Sequence, residues 1–596
     1  MWLASLVFSI GILIMMGAIS VAISNSNYTK KHRFNLFNAL FAGVFLAAIV
    51  MFYPIHYALE ESTVWGVWRA ILLSIFNSMQ LFAGGCEFAI VKEGLSFCPD
   101  GLDMIYQIWS ATLFVFAPIF TFGFVLSLFK NVSAYIRYLS LFFRDVYVFS
   151  ELNYKSIVLA SDIKAKHKKA VIVFTDVFEE NEEITFELIE EAKKLRAIRF
   201  KNDIVAVNFK RHSINKAISF FTIGLNETEN LNQSLKLIER YKTRENTNLY
   251  VFSTKVESEL LVSSAEKGKI KVRRISEVQS LINRVLYERG EIIFESAKEN
   301  IYGSKDISAV VIGMGRHGTE MVKALAWFCQ MDGYNLEINA YDQDPLAEEK
   351  FIALAPELMS DDYNGVALEG EASYKISIHP GINVQTVSFI NEISKVTNAT
   401  YVLVALGDDD INISTAINLR MYFERMKIHP IIQTIVYNSE QKRALQGVEN
   451  FKGQKYDVDF IGDMESSYIE DVIIDSELEE DALMRHLKWG TEYEFWNFEY
   501  NYRSSTASAI HMKARIKCGI PGADKKTEEL TDAERNIIEI LEHKRWNAYM
   551  RSEGYVFSGS KDKDSRNDLA KMHHDLVDFS SLTEEEKRKD GSVGTK

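Results

Sequence analysis

The sequence predicts a membrane α-helical region, with three spans and a re-entrant segment, followed by a larger α/β region. Three observations carry this prediction. Apolar stretches of membrane length are confined to the first 130 residues, alternating strand and helix patterns follow them, and one strand runs directly into a G-x-G-x-x-G turn. The chain has 596 residues, so the later part is long enough for about three domains. The predicted domains are residues 1–140, 141–300, 301–475 and 476–596.

Three stretches in the first domain are long and apolar enough to span a bilayer, which takes about 20 residues in a helix. They run from Trp2 to Ile23, from Leu36 to Leu59 and from Met104 to Phe129. Basic residues follow the first and third stretches, and the positive-inside rule places both clusters in the cytoplasm. These residues are Lys30, Lys31, Arg33, Lys130, Arg137 and Arg144. We therefore expect a multi-pass inner-membrane protein with its N-terminus outside and its large C-terminal region in the cytoplasm.

The segment Val64–Gly85 is apolar but contains polar residues. A fourth span would place one basic cluster outside, so we expect a re-entrant helix and loop on the outer side. Irregular backbone at membrane depth is buried in protein or lines a water-filled cavity. Two interpretations stay open, a pore loop and an amphipathic helix lying on the bilayer. The pore candidates are Asn77, Ser78, Gln80, Gly84, Gly85 and Glu87.

The net charge of −14 belongs to the α/β region, because the first 130 residues hold six basic and six acidic side chains. Nucleic-acid binding needs a basic surface, so we expect no nucleic-acid partner. An anionic small ligand would therefore need a local basic pocket to bind this acidic region. The four cysteines have no C-x-x-C spacing and predict no metal site.

A dinucleotide-binding fingerprint begins with the apolar strand Ser308–Ile312. The turn Gly313-Met-Gly-Arg-His-Gly318 and an amphipathic helix follow it, and the next strand ends at Asp342. The glycines allow a tight turn, approach to a phosphate and close helix packing, and the acid can bind a ribose hydroxyl. The candidate nucleotide-binding residues are Gly313, Gly315, Arg316, His317, Gly318, Asp342 and Asp344. NAD(H) or another nucleotide is the expected cofactor class, and the alternative is that the glycines serve packing alone.

An earlier copy of this pattern begins at Val146. Its strands are predicted at 146–149, 170–175, 204–207, 217–222 and 248–252. Phe149, Ser150 and Asn153 stand where the second copy has glycines, so close approach of a phosphate is not expected. We predict a degenerate module that serves as a scaffold or as a site of altered specificity.

A pore-like membrane unit followed by paired Rossmann-like modules resembles the regulator-of-conductance (RCK, or TrkA-N) proteins of ligand-gated potassium channels and transporters. The resemblance covers roughly residues 141–470. It implies a ring of modules, with a homotetramer as the expected oligomer, whose change of shape pulls on the pore helices. The T-V-G-Y-G filter of potassium channels is absent. No catalytic His/Lys constellation accompanies the fingerprint, so we expect a protein that is not an enzyme.

The C-terminal domain is rich in helical, aromatic and charged residues. Its helix around Leu541–Met550 places His543, Trp546 and Met550 on nearly one face, and Gly554 ends it. A tryptophan beside an arginine suits a base or ribose-phosphate ligand, because the ring stacks and the guanidinium forms paired hydrogen bonds. The alternative is that the aromatic side chains form a small core.

This domain also resembles the ryanodine-receptor repeat (RyR) domain, over roughly residues 475–590. The matching features are Leu-Glu-His-x-Arg-Trp from Leu541, the pair Gly554-Tyr555, and His573-x-Asp-Leu-Val-x-Phe-x-x-Leu-Thr-Glu. The family's usual proline is replaced by His574. The resemblance implies a nucleotide-derived ligand and an effector in nucleotide-signal anti-phage defence. Its implied ligand-binding residues are Arg503, His543, Arg545, Trp546, Tyr555 and His573.

These features together predict a ligand-gated membrane channel or pore-type effector. A nucleotide-derived messenger bound to the cytosolic RyR-like and Rossmann region is expected to open it. Two alternatives remain. One is a membrane-anchored nucleotide-binding regulator of ion transport without its own pore, and the other is a membrane-tethered NAD(P)-dependent enzyme.

Overall fold

A computed structural model describes most of the chain. The described residues are 1–24, 36–128, 132–141, 143–175, 183–210, 212–359, 362–363, 366–367, 374–446, 450–451, 454–455 and 457–595. The chain divides into two units, which are treated separately below. The smaller unit comprises Met1–Phe142, Val177–Glu190 and Ile198–Lys201, and the larger comprises Phe143–Asp176, Glu191–Ala197 and Asn202–Lys596.

The smaller unit is mainly a bundle of helices. These are α1 Trp2–Ser24, α2 Leu36–Leu59, α3 Val64–Ala83, α4 Ala89–Leu95, α5 Asp103–Leu128 and α6 Val132–Leu139. Hydrogen bonds join the helices from within the bundle. The Ser9 hydroxyl of α1 donates to the Ala47 carbonyl of α2 at 2.8 Å, and the Tyr106 hydroxyl of α5 donates to the Met51 carbonyl at 2.6 Å. Such interhelical bonds are common where helices pack in a bilayer.

The outer surface of this bundle is apolar. Large exposed side chains on α1, α3 and α5 include Leu3, Val7, Phe8, Trp65, Trp68, Leu72, Phe76, Met79, Met104, Ile108 and Val115. On α3 these residues recur every three or four positions and form a continuous stripe. Water-soluble monomers rarely expose apolar patches of this extent, so the surface suits lipid or another chain.

One described helix meets the length, hydropathy and charge criteria for a membrane span, over Phe41–Leu59, and the apolar stretch Trp2–Ala18 is shorter. The three-span prediction therefore has support at one helix, and the other two spans stay predictions. The segment predicted to re-enter forms one continuous 20-residue helix, α3. Gly84 ends it as a left-handed C-cap with φ 75°. A helix of this length is as long as a full span, so re-entry also stays a prediction.

The larger unit contains two parallel sheets. The elements of the first half of the α/β region are β1 Val146–Phe149, α7 Tyr154–Lys166, β2 Val171–Thr175, α8 Glu183–Lys194, β3 Ile198–Phe200, β4 Ile218–Thr222, α9 Glu227–Tyr241, β5 Thr247–Phe252, α10 Val256–Ser264 and β6 Lys271–Ile275. Within the larger unit the strands pair in the order β2-β1-β4-β5-β6, all parallel.

The strand predicted at residues 204–207 is wrong, because this stretch is a turn. The Asp203 carboxylate accepts the Val205 N–H at 2.7 Å, which closes the turn locally. The strand lies earlier, at Ile198–Phe200. Its short three-residue length gave no clear apolar run in the sequence.

The second sheet follows a connecting helix. Its elements are α11 Glu277–Arg289, α12 Glu291–Glu295, β7 Lys298–Glu299, β8 Lys305–Ile312, α13 Arg316–Phe328, β9 Tyr334–Tyr341, α14 Ala347–Leu354, α15 Pro356–Met359, β10 Asp362–Tyr363, β11 Val366–Ala367, β12 Tyr374–His379, α16 Val387–Ile393, β13 Tyr401–Val404, α17 Asp409–Arg425, β14 Ile431–Ile435, α18 Ser439–Gln446, β15 Asn450–Phe451, β16 Gln454–Lys455, β17 Val458–Ile461, α19 Met464–Ser467 and α20 Glu470–Ile473. Parallel strands run β12-β9-β8-β13-β14-β17, which is the 3-2-1-4-5-6 order of a Rossmann fold.

The two modules share a side-chain clamp as well as a parallel sheet. In the first module Asn230 accepts the Gly224 N–H at 2.8 Å and donates to the Phe252 carbonyl at 2.9 Å. Asn412 makes the same pair of bonds in the second module, at 2.7 and 2.9 Å. Each clamp ties the loop after the module's fourth strand to the end of its fifth strand. The modules are therefore structural repeats, although their glycines differ.

The remaining elements of the larger unit are mostly helical. They are α21 Glu477–His486, α22 Glu492–Asn497, α23 Glu499–Lys517, a 3-10 turn Thr527–Glu529, α24 Asp532–Ser552, β18 Val556–Phe557, a 3-10 turn Lys563–Ser565, β19 Met572–His573, a 3-10 turn Phe579–Ser581 and α25 Glu584–Val593. Helices α23 and α24 pack on the second module, where the His511 imidazole hydrogen-bonds the Gln330 carbonyl at 2.9 Å.

Candidate functional site

The glycine-rich turn of the second module leaves a helix N-terminus open. Gly315 is the N-cap of α13, and among the described residues no side chain caps the first N–H groups. The first module differs, because Asn153 caps α7 and its side chain accepts the Ser156 N–H. Uncapped N–H groups at a helix start attract anions. The second module thus leaves its helix start open, whereas the first module fills the same position with its own side chain.

Asn153→Ala is expected to lower the free energy of unfolding by about 1–2 kcal/mol, because an N-cap and a second hydrogen bond are lost together. The Asn153 amide also donates to the Ile223 carbonyl at 2.8 Å. Urea unfolding of the full-length protein in detergent measures the change. Asn208→Ala is the matched control, because this exposed side chain accepts the Lys210 N–H at 2.9 Å in contact with solvent, so it should lower stability by less than Asn153→Ala does. Equal effects of the two substitutions would contradict the capping role.

The three glycines of the turn have separable roles. Gly313 has φ 95°, which favours glycine. A Cβ on Gly318 would lie 1.8 Å from the Gly313 carbonyl oxygen, so helix packing requires glycine there. A Cβ on Gly315 would meet no described atom within 4 Å. Packing alone does not require Gly315, whereas approach of a phosphate does.

The acid of the fingerprint, Asp342, already accepts hydrogen bonds from backbone N–H groups of the protein. Asp342 accepts the Met314 N–H at 2.5 Å and the Asp344 N–H at 2.7 Å. A cavity of about 120 Å³ adjoins it, lined by Met314, Thr319, Asp342, Asp344, Ala347, Lys350, Phe351 and Leu354. Whole-ligand pockets are typically about 300–1,000 Å³, so this cavity suits one part of a nucleotide. A ribose hydroxyl would share Asp342 with the Met314 amide.

Arg316 supplies the positive side chain of the turn. Its side chain is 73% exposed, and Nη1 lies 3.7 Å from Oε1 of Glu227 in the first module. His317 lies beside it, with Nε2 3.1 Å from the Tyr437 hydroxyl. Burial lowers the pKa of His317, so its imidazole is neutral at pH 7. An anion at this turn is therefore met by N–H groups and by Arg316.

The ligand-binding residues predicted in the C-terminal domain lie close together, and most are buried. His543, Arg545, Tyr555 and His573 are each at most 6% exposed. Trp546 lies between the histidines, with its ring 6.0 Å from His543 and 4.9 Å from His573. Burial, followed by the charge of a neighbouring arginine, lowers the pKa of His573 to about 3. In this arrangement the group packs as a core, and its ligand-binding role stays a prediction.

A buried carboxylate holds the predicted arginine. Glu542 accepts hydrogen bonds from Nε and Nη2 of Arg545, at 3.1 and 2.7 Å, and it also binds Arg515. Burial opposes ionisation of Glu542, but the two guanidinium groups lower the pKa of its carboxyl below the usual value. Arg503 is similarly paired, with Nη2 2.7 Å from both carboxylate oxygens of Glu553. Both predicted arginines are thus paired with a carboxylate, and Nη1 of Arg545 is buried without a hydrogen-bond partner among the described residues.

Tyr500 and Arg566, which sequence reasoning missed, lie next to this group. The Arg566 guanidinium sits 5.5 Å above the Tyr500 ring, and the Tyr500 ring lies 5.7 Å from that of Tyr555. Arg566 is 36% exposed and also pairs with Asp568 at 2.9 Å. It follows α24 in a loop, where no periodic pattern marks its position. An accessible arginine beside aromatic rings is a better anion contact than the buried Arg545 or than Arg503, whose side chain is only 14% exposed.

A cavity of about 810 Å³ lies where β6, α11, α13 and the C-terminal helices meet, and Arg503 is among its lining residues. The cavity is large enough for a small-molecule ligand. The described lining residues include eight acids and five bases. The bases are already bonded, for example Arg274 to Glu499 and Arg289 to Asp459. This lining disfavours a phosphate-bearing ligand.

The pore candidates lie near the end of α3. Asn77 and Ser78 are on its buried side, where Asn77 Nδ2 lies 2.8 Å from His56 Nε2 and the Ser78 hydroxyl donates to the Ser74 carbonyl at 2.7 Å. Gln80 is half-buried, and Gly84, Gly85 and Glu87 are exposed. Within one chain Asn77 therefore faces α2, and Ser78 is buried with its hydroxyl bonded to its own helix. Their role in a conduit stays a prediction.

Comparison with known proteins gives no further assignment, since the chain matches no protein-family model and no curated protein. The fold and the turn define the class of protein. It is an α/β protein with parallel sheets of Rossmann type, in which the second module carries an open glycine-rich turn, preceded by a bundle of apolar helices.

Proposed function

We propose that this protein is a membrane effector, a ligand-gated channel or pore, controlled by a nucleotide-type ligand on its cytosolic modules. The observation that carries the proposal is the uncapped start of α13 at Gly315, combined with Asp342 at the end of the next strand. The residues fit a nucleotide, because no side chain is needed at Gly315 and the helix start favours a phosphate. A homotetrameric ring and a role in anti-phage defence belong to the proposal through the two family resemblances.

The surface of the N-terminal bundle supports membrane insertion. Trp65 is 73% exposed and Leu72 is 62% exposed, while the polar Ser9 and Asn77 are buried and hydrogen-bonded. This inside-out distribution of polarity is the arrangement favoured in lipid. The candidate span Phe41–Leu59 adds to it.

Contacts within the larger unit support communication between its domains. The C-terminal domain reaches the first module through the pair Arg274–Glu499, 2.6 Å between Nε and Oε1. It reaches the connecting helix α11 through the Tyr287 hydroxyl, which donates to Asp481 at 2.6 Å. A ligand that binds one arrangement of these domains more tightly shifts the population toward that arrangement.

The proposal is tested with the full-length protein in liposomes, by measuring ion flux on addition of NAD(H), mononucleotides or cyclic oligonucleotides. Flux that depends on one of these ligands is the expected result. Saturable binding without flux would favour the regulator that lacks its own pore. Turnover of NADH would favour the membrane-tethered enzyme. Neither binding nor flux with any of the ligands would refute the proposed function.

Arg566→Ala is expected to raise the ligand concentration needed for half-maximal flux by about tenfold, if the messenger binds the RyR-like domain. A charge-assisted contact is worth about 1.5–3 kcal/mol, which corresponds to roughly a tenfold to hundredfold change in affinity. The liposome flux assay measures the shift. Arg588→Ala is the matched control, because Arg588 is exposed on α25. A response to Arg566→Ala equal to that of the control would remove Arg566 from the site.

A further inference from the structure

The glycine-rich turn of the second module contacts an acid of the first. Arg316 follows Gly315 and is the first residue of α13, so its backbone N–H belongs to the anion-binding helix start. Its guanidinium Nη1 lies 3.7 Å from Oε1 of Glu227, the first residue of α9. The charged group nearest to an incoming phosphate is thus already shared with the neighbouring module.

Glu227 is held firmly in this position. One carboxylate oxygen accepts the Thr254 N–H at 2.8 Å and the Ser253 hydroxyl at 3.1 Å, and the other accepts the Thr254 hydroxyl at 2.8 Å. Although burial opposes ionisation, these bonds and Arg316 lower the pKa of the Glu227 carboxyl. A fixed negative charge therefore faces the turn at neutral pH.

Within the described part of the chain, Glu227 makes one contact that the corresponding acid of the second module does not make. The corresponding acid of the second module, Asp409, also binds the loop after the fifth strand, through the Tyr437 and Asn438 N–H groups at 3.0 and 2.8 Å. Both acids thus close their own modules. Glu227 differs because it also faces the Arg316 guanidinium across the boundary between modules.

We propose that Glu227 is an inter-module latch that opposes nucleotide binding, because it competes with the ligand phosphate for Arg316. The inference rests on the proposed nucleotide site. A phosphate at the start of α13 would draw Arg316 away from Glu227, and the like charges of phosphate and Glu227 would repel. Binding at the second module would thereby loosen its contact with the first. The nucleotide signal would reach the first module through this exchange of ion-pair partners.

The test is isothermal titration of the full-length protein in detergent with NADH and with ADP. Glu227→Gln keeps an oxygen for the Thr254 N–H and places an amide N–H that can donate to the Thr254 hydroxyl oxygen, but it removes the charge. It is therefore expected to tighten binding about two- to fivefold. Arg316→Ala is expected to weaken binding. In the Arg316→Ala background, Glu227→Gln should give a smaller gain, because the competition has been removed. Glu229→Gln, an exposed acid on the same helix, is the matched control.

The outcomes separate the latch from the proposed function. Wild-type binding that Glu227→Gln leaves unchanged would overturn the latch and leave the nucleotide site intact. Equal tightening by Glu229→Gln would also overturn it, since the effect would then be one of general charge. No binding by the wild type and by Glu227→Gln would overturn both. Binding by Glu227→Gln alone would support a strong latch.

Discussion

Gly315→Val is expected to reduce nucleotide affinity by about 100-fold or more while leaving the protein folded. Gly315 has φ −66° and ψ −168°, a conformation that valine adopts readily, and a Cβ there meets no described atom within 4 Å. The added side chain would instead occupy the space through which a phosphate reaches the first N–H groups of α13. Titration with NADH or ADP measures affinity, and thermal unfolding of the same sample measures stability.

Gly318→Ala provides the contrasting substitution. Its new Cβ would lie 1.8 Å from the Gly313 carbonyl oxygen. We therefore expect Gly318→Ala to lower the unfolding temperature, because it disrupts packing rather than blocking the ligand. A Gly315→Val protein that binds nucleotide with wild-type affinity would show that the turn is not a phosphate site. A Gly315→Val protein that unfolds at a much lower temperature would show instead that Gly315 has a packing role.

Glu542→Gln is expected to lower the free energy of unfolding by about 3–5 kcal/mol, because it leaves two buried guanidinium groups without their carboxylate. Arg515 and Arg545 are almost wholly buried, and both bind Glu542. Urea unfolding of the full-length protein, followed by tryptophan fluorescence, measures the loss. The glutamine oxygen can still accept from one arginine, but its amide nitrogen is a donor and cannot accept from the other, and the side chain carries no charge to balance the two guanidinium groups.

Glu585→Gln is the matched control for this experiment. Glu585 is 72% exposed and its nearest bases are 3.5 and 3.6 Å away, so the change should be within about 0.5 kcal/mol. A loss in Glu542→Gln no greater than in the control would mean that the buried charges are balanced by other groups.

The second module was predictable because its signals are local. The glycine spacing predicted the turn between β8 and α13, and the acid at Asp342 follows β9 as expected. The alternation of strands and helices predicted the parallel sheets of an α/β protein. The Asp203 turn was missed because four apolar residues in a row resemble a strand, whereas one carboxylate-to-amide bond decides the local structure.

The arrangement of the candidate sites was much less predictable, because it depends on partners distant in the sequence. The spacing of Glu542 and Arg545 suggests a pair on one helix face, but Arg515 lies 27 positions before Glu542. The contact of Arg316 with Glu227 joins residues of different modules. Arg566 lies in a loop, and only its position over the Tyr500 ring indicates that it is a candidate ligand contact. Periodicity cannot report such contacts, since it describes one element at a time.

For the proposed nucleotide role, the self-capped start of α7 predicts how many nucleotides the paired modules accept. Asn153 satisfies the helix start in the first module, whereas Gly315 leaves it unsatisfied in the second. We therefore expect a stoichiometry of one nucleotide per chain across the two modules rather than two. In the proposed tetrameric ring, this stoichiometry would give four equivalent nucleotide positions, each in a chain whose first module binds no ligand. The ring would then alternate between receiving and transmitting units around its circumference.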